Sequence, residues 1–369
     1  MIVHLQSPAS RAHLEMPSFA RVLPPTPDMH SDWLAVSRFL RSVGLHMDTD
    51  FEPRRFATGH ANLNYLVRCD DRWAVLRRPP HGPIPLGSHD MAREHRVLSR
   101  LHERFPLAPR SLALCDDASI IGVPFVITEY RDGIVISGAK PSHVVLDRHT
   151  CSRISDRLVD TLVELHTVDP ATVGLDTLGR PEGFLERAVM GWARRAQRVW
   201  SERPPVELEE VLGWLAINTP KTIDVCLLHC DFKLDNLILD PISLAPVALV
   251  DWDMSTRGDP LFDVATMLSY WTEAGDPKPL HDLDQMPTSM PGFDSRERVL
   301  AAYAERTGRP VDTFRFHRVL CLLKLAVVFA QLHARWQPDD TTVIKFERFG
   351  RLARELLAYC NEVRRGDRA

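Results

Sequence analysis

The stretch from residue 228 to residue 265 constrains the chain more than any other. It begins with His229, Asp231 and Asn236, so that an acid follows a histidine by two positions and an asparagine follows that acid by five. Each of these residues alone is typical of a turn or a helix cap. The ordered set is rarer by chance, and it therefore marks a candidate site.

Two short apolar runs follow this set. Leu237 to Leu239 and the run from Pro246 to Val250 flank a turn rich in Asp, Pro and Ser, and Asp251 comes directly after the second run. Apolar runs separated by turn residues predict the two strands of a hairpin. We therefore expect the hairpin to return Asp251 to the neighbourhood of Asp231 and Asn236.

Two carboxylates and an amide oxygen at one place have a defined chemistry. Oxygen ligands of this kind suit a hard cation such as Mg²⁺. Phosphoryl transfer needs such an ion to neutralise the phosphates, and it needs a carboxylate to accept the proton of the attacking hydroxyl. The pattern therefore indicates phosphoryl transfer.

Composition argues against several other classes of protein. The chain has 369 residues, with 45 basic against 49 acidic side chains and a net charge of −4, so no basic excess indicates a nucleic-acid partner. Seven scattered cysteines without a Cys-x-x-Cys pair are typical of a reducing compartment. The longest apolar helix candidate, Val319 to Leu332, is interrupted by Lys324 and is too short for a membrane span. We expect a cytoplasmic protein without a membrane partner.

The distribution of periods along the chain predicts an α+β protein of two lobes. Residues 1–30 have no clear period and are interpreted as an N-terminal arm. Short extended runs and two helices dominate residues 31–130, the predicted N-lobe. Helical periods dominate residues 131–369, the predicted C-lobe, which holds the candidate site.

A polar loop between two predicted N-lobe strands is a candidate phosphate-binding loop. It contains Gly59 and Asn62, with Asn64 just beyond, and its backbone N–H groups would cover phosphates. A single glycine in a hairpin is more often only a turn. Neither Gly-x-Gly-x-x-Gly nor Gly-x-x-x-x-Gly-Lys-Ser/Thr occurs in the chain, which argues against Rossmann and P-loop nucleotide sites.

The next strand ends on two arginines, Arg77 and Arg78, and a helix beginning near His89 or Asp90 carries Glu94. Glu94 would pair with Arg77 across the interface between strand and helix. The alternative is a solvated surface glutamate, and the residues alone leave both open.

With these features, the chain resembles the aminoglycoside-phosphotransferase-like branch of the kinase-like fold, and especially the kinase-like domain of acyl-CoA dehydrogenase 10/11-type proteins. The resemblance extends from about residue 30 to the C-terminus. The blocks that carry it are Ala74 to Pro80, His89 to Leu98, Leu165 to Asp169, Gly179 to Gly183, His229 to Asn236 and Asp251 to Asp263.

This resemblance implies a protein-kinase-like fold, with an antiparallel sheet and a helix in the N-lobe and a mainly helical C-lobe. It also implies ATP and Mg²⁺ as cofactors. Asp231 would orient and deprotonate the acceptor hydroxyl, Lys233 would contact the γ-phosphate, and His229 would brace the catalytic loop. Asn236 and Asp251 would hold the magnesium ion.

The implied ATP site lies in the N-lobe. Besides Gly59 and the two asparagines, it would include Arg77 and Glu94, and the backbone of Glu129 and Tyr130 would form a hinge beside adenine. An arginine stands where kinases have a phosphate-contacting lysine, and the resemblance leaves open whether Arg77 or Arg78 pairs with Glu94. Two further departures are Cys230, at a position that is commonly glycine, and Asp253, at the position of a kinase glycine.

The function implied is transfer of the γ-phosphoryl group of ATP to a small-molecule hydroxyl. The branch suggests a hydroxyacyl-CoA or a hydroxy acid as the acceptor. An aminoglycoside acceptor and a catalytically silent nucleotide-binding protein are the alternatives. The segment from Arg187 to Arg203 is a candidate wall of the acceptor pocket, with Trp192, Trp200, Arg194, Arg195 and Arg198. The alternative is a solvated helix whose tryptophans lie in the core.

Overall fold

The computed structural model describes residues 15–24, 32–57, 62–80, 89–138, 144–222, 224–334 and 343–367. Most of the predicted arm lies outside these ranges, and so does Gly59 with its immediate neighbours.

The first lobe is built on an antiparallel five-stranded sheet. Its strands are β1 (Arg54–Arg55), β2 (Leu63–Cys69), β3 (Arg72–Arg78), β4 (Ser111–Cys115) and β5 (Phe125–Glu129), in the order β1-β2-β3-β5-β4. Its helices are α1 (Trp33–Ser42) and α2 (Met91–Leu101). Asp32 and Asp90 cap these helices by accepting hydrogen bonds from the N–H groups of Ala35 and Arg93 at 2.8 and 2.9 Å.

The second lobe is mainly helical. Its helices are α3 (Arg148–Thr167), α4 (Phe184–Val199), α5 (Leu208–Ile217), α6 (Leu261–Tyr270), α7 (Lys278–Asp282), α8 (Arg296–Thr307), α9 (Phe314–Ala334) and α10 (Val343–Arg365). Its short strands are β6 (Ile134–Val135), β7 (Cys226–Leu228), β8 (Leu237–Leu239), β9 (Pro246–Leu249) and β10 (Thr256–Gly258). The predicted α+β class is confirmed.

The predicted hairpin forms from β8 and β9. Leu237 pairs with Leu249 in an antiparallel register, and β6 adds a third strand on the other side of β8. A second pair joins β7 to β10, so that the segment before His229 and the segment after Asp253 lie side by side. The two strand pairs therefore fix both ends of the candidate site.

Helix α9 is the core helix of the second lobe. It is 21 residues long and apolar enough to cross a membrane, but 78% of its most apolar window is buried within the protein. The apolar segment predicted from sequence was shorter, because the helix continues through polar residues at its N-terminal end. The burial shows that α9 packs as an internal helix.

Candidate active site

The loop between β7 and β8 gathers the predicted catalytic residues. The Lys233 ammonium lies 2.9 Å from Oδ2 of Asp231. The side-chain nitrogen of Asn236 donates to the backbone oxygen of Asp231 at 2.8 Å and to its Oδ2 at 3.2 Å. The loop therefore holds the Asp231 carboxylate between an ammonium and an amide.

His229 ties this loop to the hairpin. Its Nε2 lies 2.9 Å from the backbone oxygen of Val250, and its Nδ1 accepts a hydrogen bond from the N–H of Asp231 at 3.2 Å. Burial outweighs the neighbouring carboxylates and lowers the pKa of His229, which favours the neutral ring that both hydrogen bonds require. The ring thus lies between this loop and the hairpin, and the bracing role that the resemblance implied stays a prediction.

Asp263, on α6, holds the backbone of the same loop. Its two oxygens accept hydrogen bonds from the N–H groups of His229 and Cys230, both at 2.7 Å. Cys230 has a φ of +67°, a left-handed conformation that glycine adopts more easily than cysteine. A cysteine therefore stands where the backbone favours glycine, and its conformation is strained. The hydrogen bonds to Asp263 hold this strained backbone in place.

The hairpin returns Asp251 to this loop, as predicted. The N–H of Val250 donates to the backbone oxygen of Asn236 at 2.9 Å, which joins the end of β9 to the end of the catalytic loop. Asp251 itself has a φ of +73°. Strained backbone at a residue other than glycine concentrates at functional sites.

Arg77 connects the two lobes at this point. Its Nε lies 2.8 Å from Oε1 of Glu94, its Nη1 donates to Oδ1 of Asn64 at 3.2 Å, and its Nη2 lies 2.6 Å from Oδ1 of Asp251. Burial lowers the pKa of Arg77, but the surrounding carboxylates outweigh burial and raise it, so the guanidinium stays charged. Arg77, and not Arg78, is therefore the partner of Glu94.

Asn62 contacts another acid that the sequence had marked only as a departure. Its Nδ2 donates to Oδ2 of Asp253 at 3.2 Å, and its Oδ1 lies 2.7 Å from Nδ1 of His89. Burial, followed by the charges of Asp251 and Glu94, raises the pKa of Asp253 to about 7. Both predicted phosphate-loop asparagines thus contact protein side chains at this site.

The predicted hinge lies at the end of β5. The N–H groups of Glu129 and Tyr130 donate to the backbone oxygens of Arg110 and Trp73, at 2.8 and 3.4 Å. Any hydrogen bond from this segment to a nucleotide base must therefore use other backbone groups than these two.

Charge around Asp231 favours its ionised form. Burial alone would raise the pKa of Asp231, but the ammonium groups of Lys233 and Lys324 outweigh burial and lower it. Lys233 also lies 5.0 Å from the centre of the Tyr270 ring. The carboxylate is thus ionised, and Lys233 is held on two sides.

Asp235 was not predicted as a site residue. It lies 3.9 Å from the ammonium of Lys233, and burial raises its pKa to about 6. Its Oδ1 is buried without a hydrogen-bond partner among the described residues. The signal in the sequence was its place between Lys233 and Asn236.

A cavity of about 780 Å³ opens beside the catalytic loop. It is lined by α2, α4, α9, the loop before α4 and the segment that follows Asp253. Cys230, which directly precedes Asp231, forms part of its wall. Trp192 and Arg195 of the predicted acceptor segment line it, whereas Arg194 is exposed and lies outside the lining.

The lining of this cavity is strongly basic. Among the residues that the structure describes, it contains six cationic side chains and one acidic side chain, Asp90; the cations are Arg93, Arg96, Arg180, Arg187, Arg195 and Lys324. Lys324 had been noted in the sequence only as an interruption of an apolar helix. Its place on the cavity wall explains a charge in the middle of a core helix.

The donor set near Asp231 fits a magnesium ion. Asn236 uses its amide nitrogen for hydrogen bonds, which leaves its amide oxygen as a ligand, and Asp251 supplies a carboxylate. Mg²⁺ is commonly held by one or two such groups together with phosphate oxygens. Within the described ranges, no group of three or more His, Cys, Asp and Glu residues forms an independent metal site.

Comparison with known sequences gives the family. The model of the phosphotransferase enzyme family matches residues 52–301. Acyl-CoA dehydrogenase family member 10 of Mus musculus is 29% identical over 87% of the chain, and family member 11 of Gallus gallus is 28% identical over 82%. The chain spans 30% and 39% of the lengths of these two proteins.

Comparison with solved structures gives the fold. A Ralstonia eutropha structure described as an aminoglycoside phosphotransferase superposes with a TM-score of 0.73 at 22% identity, covering 91% of this chain and 99% of its own. A choline kinase from Cryptosporidium parvum gives a TM-score of 0.58 at 11% identity, covering 91% and 96%. The predicted two-lobe kinase-like fold is confirmed. The chain belongs to the phosphotransferase enzyme family.

Proposed function

We propose that the protein transfers the γ-phosphoryl group of ATP to a hydroxyl group of a small molecule, with Mg²⁺ as the metal. The observation that carries the proposal is the convergence of Asp231, Asn236 and Asp251 at one place, with Arg77 and Glu94 facing them from the other lobe. Family membership supports the reaction class.

Asn236 and Asp251 would hold the magnesium ion, which supplies neutralisation of charge on the phosphates. Arg77 already binds Asp251 and lies next to this position. A guanidinium there also suits phosphate oxygens, because its planar donors match them in pairs. We assign Arg77 to the nucleotide phosphates.

Asp231 would orient the acceptor hydroxyl and accept its proton. Its Oδ2 is occupied by Lys233 and Asn236, which leaves Oδ1 for the hydroxyl. Lys233, held against Asp231 and Tyr270, would stabilise the charge on the transferred group. Removal of Lys233 would therefore reduce kcat more than it weakens ATP binding.

For the acceptor, we propose a hydroxyacyl-CoA or a hydroxy acid. Both are anionic, and the cavity beside Asp231 is lined by six cations and one acid. The names of the relatives refer to acyl-CoA chemistry. The same basic lining disfavours a cationic aminoglycoside.

Thermal unfolding with and without ATP and MgCl₂ tests the nucleotide site. A ligand that binds only the folded state at 100 times its Kd adds about 2.7 kcal/mol of stability. We expect wild type and Asp231→Asn to be stabilised and Asp251→Asn to lose the magnesium-dependent part. Asparagine is chosen for position 251 because it tolerates a positive φ.

Asp156→Asn, at an exposed ion pair with Arg306, is the matched control and should behave as wild type. Release of ADP with hydroxyacyl-CoAs, free hydroxy acids and aminoglycosides then identifies the acceptor. Magnesium-dependent stabilisation by ATP without phosphate transfer would indicate the silent nucleotide-binding alternative. No shift with wild type would refute the proposal.

A further inference from the structure

Lys324 is a buried cation whose only part in the proposed mechanism is that its charge lowers the pKa of Asp231. It lies on α9, its residue is 5% exposed, and its ammonium donates to the backbone oxygen of Cys230 at 2.5 Å. The ammonium also lies 5.3 Å from the centre of the Phe262 ring. An ammonium has three donors, and these contacts satisfy one of them with a hydrogen bond.

No ion pair found within the described part of the chain includes Lys324. The Asp231 carboxylate balances part of this charge without direct contact, since Lys324 lowers its pKa. A buried charge that is only partly balanced is costly, and an anionic ligand would complete the balance. Lys324 lines the cavity, so a ligand there reaches it. Arg93 on α2, which lines the same cavity, is half-buried and pairs with Asp90 at 3.3 Å.

Both cations lie close to the catalytic loop. Burial and Asp263 raise the pKa of the Cys230 thiol, and the charges of Lys324 and Arg93 oppose this rise. Because Cys230 directly precedes Asp231, an anionic group held by the two cations would lie close to the carboxylate that is proposed to accept the proton of the hydroxyl.

We propose that Lys324 and Arg93 form an anion subsite in this cavity, which binds a carboxylate or phosphate group of the acceptor and thereby selects anionic acceptors. The subsite rests on the proposed function, because it assigns the acceptor class of that same site. Lys324 is the deeper of its two residues and determines specificity through charge.

The test compares Lys324→Met with Lys278→Met. Methionine keeps the length of the side chain and removes the charge, and Lys278 is an exposed lysine of α7 whose side chain is 73% exposed. The acceptors are 3-hydroxybutyrate, its CoA thioester and its neutral methyl ester, with ADP release as the readout. Hydrolysis of ATP by water is measured in parallel.

We expect Lys324→Met to raise the KM of the anionic acceptors on the order of 10- to 100-fold. Because the Lys324 charge also lowers the pKa of Asp231, water-dependent ATP hydrolysis and kcat should fall alike for every acceptor. The KM of the methyl ester should change little, and Lys278→Met should match wild type. An effect on the free acid indicates a carboxylate in the subsite, and an effect on the thioester alone indicates its phosphates. An equal rise in the KM of the methyl ester, or unchanged KM values for the anionic acceptors, would overturn the subsite.

A structural role for Lys324 is tested separately. If Lys324→Met does not fold, Arg93→Met removes the other charge, and the same selective rise in KM is expected. Lys324→Arg should restore part of the affinity for anionic acceptors, which a purely structural loss would not predict.

Calorimetric titration of 3-hydroxybutyryl-CoA without ATP separates the subsite from the reaction. Binding that weakens about tenfold in Lys324→Met, without any ADP release by wild type, would refute the proposed function and leave the subsite standing. Binding of equal strength in both proteins, or no binding of the thioester to wild type together with no turnover, would refute the subsite.

Discussion

Asp263 accepts hydrogen bonds from the N–H groups of His229 and Cys230, and its side chain is out of contact with solvent. His166 lies 3.4 Å from the same carboxylate. Asp263 is therefore a single buried acid that fixes the backbone just before Asp231. It does so although it lies far from Asp231 in sequence. The catalytic loop depends on α6 for its shape.

Replacing this acid tests that dependence. Asp263→Asn keeps the shape but turns one acceptor into an NH₂ group that faces a backbone donor. We expect the free energy of unfolding to fall by about 2–4 kcal/mol, since one buried backbone N–H loses its acceptor and faces a second donor. Urea unfolding measures the loss, with Asp156→Asn as the control. A loss no larger than that of the control would contradict the assignment.

Asp253 leads to a prediction about pH. Burial, with the charges of Asp251 and Glu94, raises its pKa from the ordinary 3.8 to about 7 in the folded protein. Between these values, folding takes up a proton, so stability falls as pH rises, by about 1.4 kcal/mol per pH unit for one proton. Below this window Asp253 is protonated in both the folded and the unfolded state. Above it the acid is ionised in both states, and the folded state bears the full cost of the buried charge.

We therefore expect Asp253→Asn to weaken this decline of stability between pH 4.5 and 7. Urea unfolding in metal-free buffer at several pH values measures the slope, and Asp156→Asn should keep the slope of wild type. Identical slopes for Asp253→Asn and wild type would rule out Asp253 as the titrating group.

At the scale of elements, β3 shows why two adjacent arginines have different roles. Successive side chains of a strand point to opposite faces. Arg77 faces α2 and meets Glu94, whereas Arg78 is buried on the other face and its Nε donates to the backbone oxygen of Pro79. The position of α2 over the sheet therefore selects Arg77.

A double-mutant cycle tests the pairing between β3 and α2. Arg77→Met leaves Glu94, which is 1% exposed, without its cation and should cost about 3–5 kcal/mol of unfolding free energy. Adding Glu94→Gln should recover part of this loss, because it removes the unpaired charge. Arg72→Met, at an exposed position of the same strand, is the control. Strictly additive losses in urea unfolding would show that the two residues do not interact.

The elements predicted from sequence are those that carry a local pattern: a helical period, a strand pattern, or two apolar runs around a turn. α1, α2, β2, β4 and the hairpin of β8 and β9 were predicted within a few residues, and Asp32 and Asp90 marked the starts of their helices. The strands β6, β7 and β10 were missed because each has only two or three residues and none is joined to its partner by a short turn, as β8 is to β9. They form only through pairing with segments that lie far away in sequence.

At the scale of the whole molecule, the candidate site could be predicted only in part. The His-x-Asp pattern, Asn236 and Asp251 were legible because they lie close together in sequence. Contacts between distant positions were not: the link from Asn62 to Asp253 joins the two lobes across 191 residues, and Lys324 reaches Cys230 within the second lobe across 94. Such contacts depend on how distant elements pack against each other, which no local pattern records.

The ion pair between Arg77 and Asp251 joins the two lobes beside the proposed nucleotide site. The guanidinium neutralises the carboxylate that Mg²⁺ would bind under the proposed function. A magnesium ion arriving alone would have to displace that guanidinium, whereas one bound to ATP would also bring phosphates to which Arg77 could transfer. Under the proposed function we therefore expect an exchange of partners, in which metal and nucleotide bind as one complex.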